Sequence, residues 1–327
     1  MGILTGALLL GFIGKCTSWW KKDTTELENF DEIIGKLGSP VIIEKKLQEL
    51  SAQAKKLPSN SIYLQMQSQM ALMQAIQKKF EQAHTTLDKA QAQLTITDHI
   101  AAARIMLERG RIFQQSGNIA QAAQYFNESY RISTLHNLDY HTINAAHMIA
   151  TIAPTLHEKI SWNELAISLA LQTQDKKATQ WLAPLHNNLG KNYFDAQDYE
   201  KSLQNYQKAL ILFQKKPQHA TSNLLFARWT IARCMRALHQ LDQAFILQQS
   251  LLNEIKDLEL SKQHEMPQEF FLLIRGWIYE ELAEIYDNQN NLEASKKYAQ
   301  QALTDLTGNE MFTKTSPERI ERLKSLL

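Results

Sequence analysis

The chain has 327 residues, of which 44% are hydrophobic and 21% are charged, so it can bury a sizeable core. Its 11 glycines and 7 prolines are too few for a loop-rich or all-β protein. The formal net charge of +1 argues against nucleic acid as the main partner, because phosphate binding depends on a net basic footprint. Two isolated cysteines, Cys16 and Cys234, predict neither a disulfide framework nor a zinc site and favour a reducing compartment.

Residues 1–22 form an apolar N-terminal extension in which an apolar run is followed by Trp19, Trp20 and basic residues. No basic residue precedes the run and no small-x-small cleavage site is evident, so a secretory signal is not predicted. The run is also shorter than the about 20 residues of a transmembrane helix. Two interpretations stay open. Residues 1–20 are a shallow membrane anchor that leaves the body on the cytoplasmic side, or the extension is non-native or packs locally on the fold.

Residues 23–327 have a helical pattern in which small residues recur in pairs. Ser39 and Pro40 first start a predicted helix over residues 41–55. One small residue in the middle of each first helix then recurs about every 40 residues, at Ala71, Gly110, Ala150, Gly190, Ala232 and Ala283. The positions about three turns further on are Ala83, Ala122, Trp162, Ser202, Ala244 and Ser295. Small residues are required where two helices cross closely, so each unit is predicted to be a helix–turn–helix, with an exception around Trp162.

Loop signals divide these units and mark two irregular places. Turns are predicted at residues 116–118, 196–198 and 288–291. In the irregular unit, residues 137–176, Pro154 should end or kink the first helix, and after a connection over residues 156–160 a second helix should be capped near Ser161. The long last interval predicts an insertion within residues 253–269. Ser316 and Pro317 start a short terminal helix that should cover the open end of the stack.

Five blocks of sequence together resemble an uncharacterised family of bacterial tetratricopeptide repeat proteins. The blocks are LERGRIFQQSGN (107–118), AAHMIATIAP (145–154), WLAPLHNNLGKNYFDAQDY (181–199), RWTIARCMRAL (228–238) and GWIYEELAE (276–284). The resemblance runs from residue 30 to residue 327 and implies a cytoplasmic helical solenoid with no reaction attached to it. With the repeat pattern, it predicts an all-α, right-handed superhelical solenoid of about six helical pairs and a capping helix over residues 23–327. Residues 1–20 depart from the family pattern.

The sequence assigns no catalytic residue, metal or cofactor. It contains no His-Glu-x-x-His or Cys-x-x-Cys pattern, phosphate loop or nucleophile elbow. His136, His141 and His147 are interpreted as ordinary polar or half-buried residues, although an enzyme with a site near His147 and His157 is an alternative. Four acidic residues are predicted to lie on one side of a helix: Glu280, Glu281, Glu284 and Asp287. We interpret them as a solvated or partner-facing stripe, and a cation site is the alternative.

The first helices of stacked pairs line an inner surface, and residues on either side of each small position should face it. These positions predict a partner-binding groove formed by Arg111, Asn187, Lys191, Phe194, Trp229, Arg233 and Arg236. Asn187, Lys191 and Arg233 are similar to the carboxylate clamps of some tetratricopeptide domains, which His147 and Thr151 do not complete. The expected ligand is a peptide or partner protein with acidic groups or a free C-terminal carboxylate, and Trp229 would supply apolar contact area. Alternatively, these basic groups pair with acidic groups on adjacent helices.

The leading hypothesis from the sequence is therefore a non-enzymatic scaffold or adaptor in the cytoplasm that binds a protein or peptide. A membrane-tethered assembly factor, anchored through residues 1–20, is the alternative from another class.

Overall fold

A computed structural model of the chain describes residues 27–215, 221–261 and 267–327. The apolar N-terminal extension and the predicted loop at Pro217 lie outside the described residues. All regular secondary structure within the described residues is helical, which confirms the all-α class. The helices are α1 (Phe30–Ile34), α2 (Pro40–Ala54), α3 (Ser61–Ile76), α4 (Phe80–Gln91), α5 (His99–Gln115), α6 (Ile119–Leu135), α7 (Asp139–Ile152), α8 (Leu156–Gln172), α9 (Leu182–Asp195), α10 (Tyr199–Gln214), α11 (Thr221–Ala237), α12 (Leu241–Ser261), α13 (Gln268–Asn288), α14 (Leu292–Leu306), α15 (Glu310–Thr315) and α16 (Pro317–Ser325), with a 3₁₀ turn at Ala178–Trp181.

The helices form two compact units. Unit 1 comprises the described residues up to Pro154 together with Ser168–Thr179, and unit 2 comprises Thr155–Ile167 together with Gln180–Leu327. Unit 1 contains the helical pairs α3/α4 and α5/α6, and unit 2 contains α9/α10, α11/α12 and α13/α14. Apolar side chains of successive pairs form the core of each unit.

The turn inside each of these five pairs contains one residue with a positive φ angle: Lys78, Gly117, Gln197, His239 or Asn290. The next residue closes the turn by donating its N–H to a carbonyl five positions earlier, as Asn118 does to Phe113 (2.8 Å) and Asp198 to Tyr193 (2.9 Å). This is the Schellman ending of a helix, which satisfies its last carbonyl groups. This turn follows the predicted small residue of the first helix by the same number of residues in all five pairs, which confirms the predicted register there. Ala150 differs, because its helix α7 ends at Ile152 without such a turn.

Close helix crossing explains the small residues. A Cβ atom on Gly110 would lie 2.5 Å from the Phe126 ring, and one on Gly190 would lie 2.9 Å from the Tyr206 ring. Ser202, at the second small position, is fully buried and donates its hydroxyl to the Gly190 carbonyl oxygen at 2.7 Å. A larger residue at either position would separate the two helices.

The irregular unit begins as predicted but continues differently. Helix α7 ends at Ile152, before Pro154. The predicted connection over residues 156–160 and the cap at Ser161 are wrong, because α8 begins at Leu156. Thr155 and Glu158 form a capping box here: the Glu158 N–H donates to the Thr155 hydroxyl at 3.2 Å, and the Thr155 N–H donates to the Glu158 carboxylate at 3.1 Å. The T-x-x-E pattern satisfies two N-terminal amides and starts the helix early.

The long interval between the last two small positions, Ala232 and Ala283, is taken up by longer helices. Helices α12 and α13 have 21 residues each, so most of the insertion predicted within residues 253–269 is helical in the described part, which omits residues 262–266. The terminal helix begins at Pro317 as predicted. Among the helices described, none is both long and apolar enough to span a bilayer.

Candidate functional site

The candidate site in unit 2 is the face of α9 and α11 that carries the predicted groove residues. Spacings of three and four residues place them along one side of each helix. Arg233 connects the two helices: its Cζ atom lies 4.4 Å from the centroid of the Phe194 ring on α9 and 5.5 Å from that of Trp229 on α11. These distances are those of cation–π contacts. The fold thus brings Phe194, Trp229 and Arg233 together.

A buried carboxylate on α13 lies below these cations. Glu281 is 1% exposed, and its oxygens lie 2.6 Å from Arg236 Nε and 3.2 Å from Arg233 Nε. Burial would raise the pKa of Glu281, but the charges of Arg236 and Arg233 hold it below its ordinary value. Glu281 is therefore ionised at neutral pH. Although Arg233 Nε is within ion-pair distance, it is buried and has no hydrogen-bond partner among the described residues.

The other three residues of the acidic stripe on α13 pair with α16. Arg319 Nε donates to Glu280 at 2.8 Å, and Arg322 donates to Glu284 at 2.9 Å and to Asp287 at 2.7 Å. The acidic stripe is thus part of an ion-pair network within unit 2. Sequence reasoning missed these two arginines, although their three-residue spacing matches that of carboxylates on consecutive turns of α13.

The other predicted groove residues of unit 2 differ in their accessibility. Trp229 is 3% exposed, and its indole N–H donates to the Trp277 carbonyl oxygen at 3.2 Å. Lys191 is exposed and pairs with Asp195 one turn later. The Asn187 side-chain oxygen is buried without a hydrogen-bond partner in the described residues. Lys191, Phe194 and Arg233 therefore contribute the accessible part of the site.

Arg111 lies in unit 1, on the corresponding face of α5. Its guanidinium donates to Glu108 at 3.0 Å and to Asn144 on α7 at 2.9 Å. His141 and His147 lie on α7, and burial lowers the pKa of each to about 4, so both are neutral at pH 7. Within the described part of the chain, no group of three or more His, Cys, Asp or Glu side chains is arranged to bind a metal ion.

Helical pairs in this register, with a Schellman turn and a close crossing in each, define a helical-repeat protein. A family model described as "Tetratricopeptide repeat" matches residues 63–134 and 181–253, and a second model of the same description matches residues 278–304. Together these ranges cover just over half of the chain. The chain belongs to the tetratricopeptide repeat family.

Solved structures with this fold are similar over most of the chain. The apo form of RapI has a TM-score of 0.62 at 12% identity, covering 94% of this chain and 85% of RapI. A signal-transduction ATPase with a tetratricopeptide repeat sensor, from Pyrococcus horikoshii, has a TM-score of 0.61 at 15% identity, covering 93% of this chain and 45% of that protein. BtubC from P. vanneervenii has a TM-score of 0.56 at 14% identity, covering 73% of this chain and 95% of BtubC. No curated protein matches the chain. At these identities the likeness shows the fold alone.

Proposed function

We propose that this protein is a non-enzymatic scaffold or adaptor that binds a peptide or partner protein on the Phe194–Arg233 face of unit 2. The observation that carries the proposal is the position of Arg233, which lies against Phe194 and keeps 30% of its side chain exposed. Tetratricopeptide repeats are protein-interaction modules, and one similar structure, with a TM-score of 0.51, is a Rap protein complexed with competence and sporulation factor.

The chemistry of this face favours a partner that carries both an acidic and an apolar group. A partner carboxylate would accept charge-assisted hydrogen bonds from Arg233, and Phe194 would contact an adjacent apolar side chain. Lys191 would exchange its exposed partner Asp195 for a carboxylate of the ligand at little cost, because exposed ion pairs contribute little. Asn187 lies one turn before Lys191 on the same side of α9, and its amide would have to rotate outward before its buried oxygen could accept a hydrogen bond from a peptide N–H. Trp229 and Arg236 would support Arg233 from below, and Arg111 would be a separate contact in unit 1.

The proposal places this binding in the cytoplasm, with the apolar extension as a possible membrane contact. Fractionation of the full-length protein tests the location. Recovery in the soluble cytoplasmic fraction agrees with the proposal, whereas recovery with the membranes, released only by detergent, supports the tethered alternative.

Affinity purification with matched variants tests the binding face. The test variant is Lys191→Ala/Arg233→Ala, and the control is Lys201→Ala/Arg228→Ala. The control removes the same two residue types from the same pair of helical repeats, with Lys201 paired to Asp198 and Arg228 to Glu254. Proteins that copurify with the wild type and the control from a lysate of the source cells should be depleted at least about tenfold with the test variant. If all three recover the same proteins in the same amounts at the same salt concentration, this face is not the binding site.

A further inference from the structure

The short helix α1 is docked on unit 1 through an apolar face. Leu27, Phe30 and Ile34 are 3%, 2% and 7% exposed and follow one another at three- and four-residue steps. They belong to the same apolar cluster as Leu47, Met66 and Ile105. A helix of 5 residues does not persist by itself in water, so its conformation depends on this docking.

One arginine of unit 1 contacts two consecutive side chains of α1. Arg104 Nη1 and Nη2 donate to the two carboxylate oxygens of Asp31 at 2.6 and 2.7 Å, which is a bidentate pair. The Arg104 Cζ atom also lies 5.1 Å from the centroid of the Phe30 ring. The Arg104 side chain is 8% exposed, whereas the Asp31 side chain keeps 41% of its exposure. The pair therefore lies at an edge that solvent reaches.

Arg104 lies on the same stripe of α5 as Arg111, the residue predicted to face a ligand, because steps of four and three residues connect it through Glu108. The surroundings of Asp31 favour an anion. Burial would raise the pKa of Asp31, but the hydrogen bond and charge of Arg104, and more weakly the charge of Lys177, lower it. The N-terminal segment of unit 1 thus places an aromatic residue and an adjacent acidic residue, Phe30 and Asp31, against the α5 stripe that is predicted to face a ligand.

We propose that residues 27–34 are an intramolecular ligand of unit 1, and that the Arg104 site accepts an external peptide with the same pattern, an apolar residue followed three positions later by Phe-Asp. This goes beyond the function proposed for unit 2. Residues 35–39, with glycines at positions 35 and 38, connect α1 to α2. A tether this short gives an effective concentration of about millimolar, so the chain's own segment excludes an external peptide of the same intrinsic affinity until that peptide approaches the same concentration.

Peptide binding to the full-length protein tests the proposal. The probe is a blocked, fluorescently labelled peptide of residues 27–34, LENFDEII, measured by fluorescence anisotropy against the wild type and Phe30→Ala/Asp31→Ala. The matched control is Glu28→Ala/Glu32→Ala, which changes two exposed residues of the same segment. The opened variant should bind the probe at least about a hundredfold more tightly than the wild type or the control. Adding Arg104→Gln should weaken that binding at least about tenfold.

A probe in which Phe and Asp are replaced by alanine checks the recognised chemistry, and it should bind the opened variant at least about tenfold more weakly. Equal binding of the two probes, or equal binding of the probe to the opened variant and the wild type, would overturn the proposal and leave α1 as a structural cap.

A measurement on the wild type covers the case in which the opened variant does not fold. Hydrogen exchange of the amides of residues 27–34 should accelerate severalfold when the unlabelled LENFDEII peptide is added at about millimolar concentration, because the peptide displaces the tethered segment. The alanine-substituted peptide should have no effect. Unchanged exchange with LENFDEII would show that the site does not accept an external segment.

Discussion

Replacing Glu281 by glutamine tests whether the cations of unit 2 depend on a buried charge. The substitution keeps the shape of the side chain and removes its charge, and the residue is 1% exposed. It leaves two guanidinium groups, at 2.6 and 3.2 Å, without their anion. Neutralising one member of a buried ion pair costs about 3–5 kcal/mol. Because the amide oxygen of glutamine still accepts one hydrogen bond, we expect the free energy of unfolding to fall by about 3 kcal/mol.

Glu254→Gln is the matched control. Glu254 also pairs with an arginine of α11, Arg228, at 2.5 Å, but its side chain is 39% exposed. An exposed pair contributes about 0–1 kcal/mol, so this substitution should change stability little.

Urea unfolding followed by circular dichroism and tryptophan fluorescence measures the difference. Repeat proteins populate partly folded states, so we compare transition midpoints of the tryptophan signal, to which Trp229 and Trp277 contribute with rings 5.0 Å apart in the same unit. With a slope of about 1–3 kcal/mol/M, Glu281→Gln should lower the midpoint by about 1 M or more, and Glu254→Gln by a few tenths. Equal shifts for the two variants would refute the argument that burial makes the Glu281 pairs strong.

Three further predictions concern the packing, the caps and the pH response. Gly190→Ala should destabilise the fold by about 1–3 kcal/mol in thermal unfolding, because its Cβ atom would lie 2.9 Å from the Tyr206 ring, and adding Tyr206→Leu should recover part of the loss. Thr155→Ala should cost about 1 kcal/mol by removing the capping box of α8, whereas Ser161→Ala, within the exposed part of that helix, should be neutral by the same measurement. Burial lowers the pKa of His141 from 6.5 to about 4, so the unfolded chain binds a proton in that pH window that the folded chain does not. The free energy of unfolding should therefore fall on acidification through this window, by at most about 3 kcal/mol for this residue. Urea unfolding at a series of pH values should give a flatter dependence of stability on pH for His141→Gln. An unchanged dependence would contradict the lowered pKa of His141.

Much of the fold could be predicted from the sequence because its determinants are local. A small residue such as Gly190, followed by a turn and a second small residue such as Ser202, fixes both the crossing and the hairpin of one pair. The start of α8 is also a local feature, since Thr155 and Glu158 form a capping box directly after Pro154, and a proline that ends one helix can immediately precede the next.

The candidate site was less predictable because its contacts join residues far apart in sequence. The positions of Phe194 and Arg233 on one face follow from helical periodicity. The pairing of Arg319 with Glu280 depends on the direction in which α16 packs against α13, and the pairing of Asp31 with Arg104 on where α1 docks. In each case the sequence shows that both acidic and basic residues are present. Only the tertiary packing determines which of them pair.

These pairs determine how a charged partner can bind. In unit 1, Arg104 already has the carboxylate of Asp31, and in unit 2 Arg233 and Arg236 share that of Glu281. An incoming acidic group therefore exchanges with, or adds to, an existing carboxylate, and its net gain is the difference between two similar interactions. Charge alone then gives little affinity, and selection depends on the apolar group next to the acidic group of the partner. In unit 2, Phe194 would contact that apolar group. In unit 1, the apolar group would have to take the place of Phe30. We therefore expect replacement of the apolar residue of a bound peptide to weaken binding at either face at least as much as replacement of its acidic residue.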